Sequence, residues 1–259
     1  MALVLFEQAG LVGRITLCRP QAGNSVTPDL IEDLAQAVTQ AEQSPSRAIL
    51  LCAEGSNFCL GADVRHLAAN ADTLAVELKQ MADGFHAAQV RLAALAAPIV
   101  AAVRGAAVGG GFGLALTSDF LLCADDARFS TGYARLGLSA DAGVSLALTQ
   151  ALGVRRARAL LIDPRFISAA EALELGLAYK VAPADQIEAI ALAYAQTLAE
   201  GPTSAFAAIK RLTIAAASSC DLRAHLDRET AEIVALAERP DVVAALRGAL
   251  DRTKPTFER

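Results

Sequence analysis

The chain has 259 residues, 54% of them hydrophobic and 20% charged, which suits one large domain with a full core. A net charge of −5, no Trp and 5% aromatics exclude a nucleic-acid surface, which needs clustered Lys/Arg and stacking platforms. The longest apolar run, LAALAAPIVAAV at 92–103, is too short to cross a bilayer and contains Pro98, so no membrane partner is expected.

At the N-terminus, MALVLFEQAG lacks a charged leader region and is interrupted by Glu7, so no secretory segment is expected. Short apolar runs that stop at turn residues then read as strands: LVLFEQ, RITLCRP, AILLCAEG, PIVAAVRG, FLLCADD and LAYKVAP. Helical patterns separate several of them. In TPDLIEDLAQAVTQAEQ, Thr27 is the N-cap, Pro28 opens the helix, and Leu30, Leu34 and Val38 share one face. Alternating strands and helices predict a buried, mainly parallel sheet. The runs follow no fixed period, so no solenoid is expected. No basic run exceeds the pair Arg155-Arg156. Beyond about Gly201 the pattern becomes all-helical, which divides the chain into a core, 1–200, and a C-terminal helical region, 201–259. The apolar faces of that region must pack on the body or on another subunit.

Five cysteines, an odd number without a C-x-x-C, fit small core residues in a reducing cytoplasm. No metal site is expected.

The stretch AAVGGGFGLALTSD, 106–119, places three consecutive glycines at the mouth of a helix. It lacks the lysine of a P-loop and the third glycine of a dinucleotide fingerprint. Two readings remain: a tight strand-to-helix turn with close backbone packing, or bare N–H groups that a ligand oxygen can approach. A second bare turn, SNFCLGADV at 56–64, follows the strand AILLCAEG. Two such turns can each aim one amide at a single oxygen, which is the design of an oxyanion hole.

At this point the chain resembles the crotonase superfamily, the enoyl-CoA hydratase/isomerase group. The resemblance rests on ITLCRPQAGNSV, FCLGADV, PIVAAVRGAAVGGGFGLALTSDFLLCADDARF and ISAAEALELGLAYKV, and so runs through most of the chain. It implies an α/β fold, a right-handed spiral of ββα units with a C-terminal helical region. It also implies an acyl-CoA substrate with no separate cofactor, and a homotrimer or dimer of trimers. By resemblance the oxyanion donors are the N–H groups of Leu60 and Gly110. Ala62, Asp63 and Arg65 stand where the family meets CoA, and Lys254 and Phe257 resemble a tail that closes over the adenine of a neighbouring subunit. The basic residue that many members carry before the Asn of the early turn is Gly23 here.

The hydratases of the family handle water with two glutamates, and the matching positions here are Gly113 and Tyr133. Two-glutamate hydration is therefore not expected, and Gly113 is read as making room for substrate. The acid left near the cleft is Asp141, which reads either as a helix N-cap or as a catalytic carboxylate. Isomerase-like members use such a residue to move a proton and shift a double bond. The 4-chlorobenzoyl-CoA dehalogenase uses it as a nucleophile, with a histidine at the place of His86 and a Trp at the place of Tyr133. The isomerase reading needs fewer groups to converge and is preferred. The competing class is a binding or assembly protein that keeps the fold without the chemistry. A serine hydrolase is not supported, because Ser118 and Ser139 lack a base and no G-x-S-x-G occurs.

Overall fold

The computed structural model describes residues 2–218, 221–251, 253 and 256–257. An antiparallel hairpin, β1 (Val4–Ala9) and β2 (Val12–Leu17), is followed by α1 (Pro28–Gln43) and β3 (Ala48–Ala53). The Thr27 side chain caps α1 by accepting from the Leu30 N–H. Leu30, Leu34 and Val38 are fully buried beneath it, each contributing about 1.5–3 kcal/mol of transfer free energy.

Then come α2 (Val64–Ala69), α3 (Leu74–Ala93), β4 (Ile99–Val103), β5 (Ala106–Val108) and α4 (Gly110–Leu116). They are followed by β6 (Phe120–Ala124), β7 (Arg128–Ser130) and α5 (Val144–Ile162), which Gly153 breaks at φ +74°. The body closes with β8 (Ile167–Ser168), α6 (Ala169–Glu174), β9 (Lys180–Ala182) and α7 (Ile187–Ala199).

A six-stranded sheet runs in the order β1-β2-β3-β4-β6-β9, parallel beyond the hairpin. Every residue of β3 and β4 is buried, as continuous apolar runs predict for strands covered on both faces. A second sheet, β5-β7-β8, was not foreseen from the apolar runs. The two sheets arise from one repeating unit: in β4–β5–α4 and β6–β7–α5, the first strand joins the large sheet and the second the small one. β3 begins a similar pass, in which Cys59 bridges Ala107 of β5 before the chain enters α2. The expected architecture of ββα units is thus present.

The C-terminal region consists of α8 (Thr203–Ser218), α9 (Leu222–Ala237) and α10 (Pro240–Asp251). α8 docks on the body through buried Ala207 and Ala208 and through the Lys210–Asp119 ion pair at 2.8 Å. Arg47, buried, donates to the Ala199 and Gly201 carbonyls and fixes the junction. α9 buries no residue and turns Leu222, Leu226 and Ile233 outward, so only part of the tail's apolar surface is covered by its own body. Among the described residues, no helix is long and apolar enough to cross a membrane. Cys52, Cys59 and Cys123 are core residues, and burial pushes the Cys59 thiol up to about 12.

Candidate active site

The two bare turns meet. The Cys59 N–H donates to Ala106 and the Cys59 carbonyl accepts from Val108, so the segments run parallel with Cys59 abreast of Ala107. Counting onward in step, Ala62 comes abreast of Gly110. A Cβ on Gly61 would lie 2.7 Å from the Val108 carbonyl oxygen and 3.4 Å from the Gly110 nitrogen; one on Gly111 would lie 2.2 Å from the Cys59 oxygen. Gly61 and Gly111 therefore serve close backbone packing, and that packing brings the amides together.

Accounting for the amides identifies the free donors. The Leu60 N–H donates to the Gly23 carbonyl at 3.0 Å, which corrects the expectation that it points at substrate. Gly109 donates to Ser130 at 3.0 Å. Among the described residues, the N–H groups of Ala62 and Gly110 have no acceptor. Nothing in FCLGADV distinguishes Leu60 from Ala62, because the carbonyl that occupies Leu60 belongs to a turn far earlier in the chain.

Ala62 and Gly110 line a cleft of about 480 Å3, together with Leu60, Tyr133 and Asp141. Ile31, Leu67, Met81, Phe85 and Leu138 make the rest of its wall largely apolar.

Asp141 does not cap α5. The N-cap is Gly143 in the left-handed region, and no side chain accepts from the first turn. The carboxylate instead meets His86 of α3, with Oδ1 2.6 Å from Nε2 and the two side chains 46% and 43% exposed. The Ala142 N–H also points at Nε2, at 3.3 Å. Nε2 can serve only one of these two at a time: it accepts from Ala142 when it carries no proton and donates to the carboxylate when it does. The Tyr133 hydroxyl donates to the Asp141 main-chain carbonyl at 3.1 Å, not to the carboxylate. Burial, then the nearby Asp141 charge, raises the Tyr133 pKa, so it donates as a neutral phenol. Its part is to hold the backbone of the acid.

Ala142 follows with φ +53°, a left-handed conformation that costs a residue with a Cβ about 1–2 kcal/mol. Gly113 faces this residue: a Cβ there would lie 2.2 Å from the Ala142 oxygen and 2.8 Å from its Cβ. Gly113 thus makes room for the Asp141 loop rather than for substrate, and no glutamate fits in its place. Gly113→Ala gains about 1 kcal/mol of helix propensity but meets a backbone oxygen. We expect a net loss of about 1–2 kcal/mol, since overpacking at a rigid site exceeds that gain. Chemical denaturation measures it, and a more stable variant would contradict the packing described.

A polar cleft of about 850 Å3 adjoins the first through Leu60, Ala62 and Val64, and is lined by Arg19, Arg65 and His66. Arg65 is exposed there. Asp63, expected at a CoA contact, is used within the fold: it pairs with Arg19 at 2.8 Å and accepts from the Arg65 and His66 N–H groups. Burial works against its ionisation, but Arg19 and these amides outweigh it and lower its pKa. His66 pairs with Glu77 at 2.5 Å, and His225 lies 3.4 Å from Glu229, so neither joins the Asp141 site. Phe257 is half-buried and lines neither cleft, while Lys254 falls outside the described residues.

The sequence matches the family profile described as enoyl-CoA hydratase/isomerase over residues 7–259. It is 36% identical over 205 residues to a probable enoyl-CoA hydratase of Mycobacterium tuberculosis, covering 78% of this chain and 77% of that protein. It is 31% identical to the 1,2-epoxyphenylacetyl-CoA isomerase of Escherichia coli, covering 88% of each. The crystal structure of an enoyl-CoA hydratase from Polaromonas sp. JS666 superposes with a TM-score of 0.93 at 31% identity, covering 98% of this chain and 99% of that one. A matching profile over nearly the full length, with the same fold around two free amides, identifies this chain as a member of the enoyl-CoA hydratase/isomerase family, the crotonase superfamily.

Proposed function

We propose that this protein shifts a double bond in an acyl-CoA thioester, with Asp141 carrying the proton. The observation that supports this reading most is the ionisable carboxylate of Asp141, paired to His86, lining the same cleft as the unpartnered Ala62 and Gly110 amides. The thioester oxygen sits at those amides. Asp141 takes a proton from the carbon next to the carbonyl, and the C–H electron pair moves into the conjugated system to leave a dienolate with its charge on that oxygen. The protonated Asp141 then returns the proton at the far end of the system, and the double bond moves into conjugation. The acyl chain lies along the apolar wall, and the CoA portion passes Leu60 toward Arg65 in the polar cleft.

The missing glutamates, with Gly113 closed by the Ala142 peptide, argue against two-glutamate hydration. A second reading, covalent attack by Asp141 with water activated by His86, is favoured by the 2.6 Å contact between those two side chains. It is weakened because Tyr133 bonds the backbone and because Phe85 and Tyr133 are the aromatic members of the cleft lining.

Panels of 3-enoyl-CoA and aryl-CoA thioesters offered in deuterated water separate the two. The proton-carrying reading expects deuterium at the γ-carbon of the conjugated product and exchange at the α-carbon of the substrate, without an adduct. It also expects His86→Gln to slow turnover about tenfold, since half exposure discounts a charge-assisted bond. An ester on Asp141 that accumulates in His86→Gln would select the covalent route.

A further inference from the structure

We infer that Gln89 is a positioning residue for Asp141, a role that rests on the proton-carrying reading above. His86 and Gln89 are three residues apart on α3 and face the same side. They take hold of one residue from opposite ends: the Ala142 N–H points at His86 Nε2 at 3.3 Å, and the Ala142 carbonyl accepts from Gln89 Nε2 at 3.3 Å. The residue so held is the left-handed Ala142, itself 3% exposed.

The orientation of the Gln89 amide is fixed by its partners. Nε2 also donates to Thr117 Oγ1 at 3.1 Å, and that hydroxyl donates onward to the Gly113 carbonyl at 3.0 Å. Both neighbours of Nε2 are acceptors, so the amide must present its NH2 group to them. With Gln89 only 8% exposed, water competes poorly for either bond.

The arrangement has a consequence for catalysis. Thr117 ends α4, the helix whose first residue carries the Gly110 amide, and Ala142 follows the proton-carrying Asp141. Gln89 therefore ties the element that aims the oxyanion donor to the loop that aims the acid. Ala142 also relies on the missing Gly113 Cβ, so its position is set by the Gln89 bond, by His86 when Nε2 carries no proton, and by steric contact behind. Without the Gln89 donor, the left-handed peptide relaxes and Asp141 swings relative to Gly110.

The test is Gln89→Met, which keeps the volume and removes the donor. The expected result is an unchanged melting temperature to within a few degrees, a KM for the thioester unchanged within about twofold, and a kcat lower by about 10- to 100-fold. A second readout is independent of turnover: with three histidines in the chain, the His86 ring nitrogens can be assigned by NMR, and they shift in the variant. Thr117→Val, a half-buried isostere that removes one Gln89 acceptor, gives a smaller loss in kcat of the same kind and serves if Gln89→Met does not fold. Parental kcat and unmoved His86 resonances in a folded variant would overturn the role. If Asp141→Asn still turns over, the proton-carrying reading fails by itself, and the His86 resonances alone decide whether Gln89 holds the loop.

Discussion

Asp141→Asn is expected to lower turnover about 10²- to 10⁴-fold, the range contributed by a positioned acid–base group, while acyl-CoA binding survives. The amide has the shape of the carboxylate and can still meet His86 at the 2.6 Å contact, but it cannot accept a proton from carbon. Steady-state kinetics on a 3-enoyl-CoA, with calorimetric titration of a saturated acyl-CoA, separates loss of chemistry from loss of binding. Because the Asp141 side chain caps no helix, the substitution leaves α5 intact. Undiminished turnover would retire both readings that place chemistry on Asp141, whereas a parental protein that binds acyl-CoA and turns over neither panel would be a binding or assembly protein on a catalytic scaffold.

Gly110→Pro tests the other half of the site. Gly110 is the first residue of α4, where proline is tolerated because the N–H has no helical acceptor. A Cβ there meets only Phe85 at 3.7 Å and Ala142 at 4.0 Å, both ordinary contacts. Gly109 precedes it at φ +54° and ψ −121°, an extended mirror-image conformation open to glycine before proline. The substitution thus leaves the helix in place, deletes one donor and puts the ring Cδ where that donor pointed, so acyl-CoA binding is measured beside kcat. Loss of one oxyanion donor costs about 10²- to 10³-fold in kcat. A variant with parental kcat and an unchanged fold would remove Gly110 from the mechanism and break the argument for paired amides.

How far the sequence could carry the reading depended on the length of each element. α1 announced itself through Thr27, Pro28 and four-residue spacing, and the six main strands through largely apolar runs bounded by turn residues. The small sheet did not: its strands have three, three and two residues, and unlike the equally short β9, which lies in LAYKVAP, none sits in a longer apolar run. The site divides along the same line. Gly110, Asp141, His86 and Tyr133 stood out by residue type, and the fold brings all four to one place. What residue type could not reveal was which atoms were already engaged. Leu60 lost its amide to Gly23, Asp63 its carboxylate to Arg19, and Tyr133 its hydroxyl to a carbonyl. Ala142 and Gln89 gave no signal at all, since neither a left-handed alanine nor a glutamine inside a long helix departs from ordinary composition.

The Asp141–His86 pair is nearly half exposed, and water therefore weakens the attraction between the two groups in the free protein. In the proposed reaction, an acyl chain laid along the wall of Leu67, Met81 and Phe85 covers the Asp141 side of the pair and strips solvent from it. On the proposed mechanism the substrate would thereby complete the low-polarity surroundings in which a fixed charge and two fixed dipoles act most strongly on a developing enolate. Part of the catalytic environment is then carried in by the hydrocarbon itself, so chain length acts on the rate of the chemical step as well as on affinity.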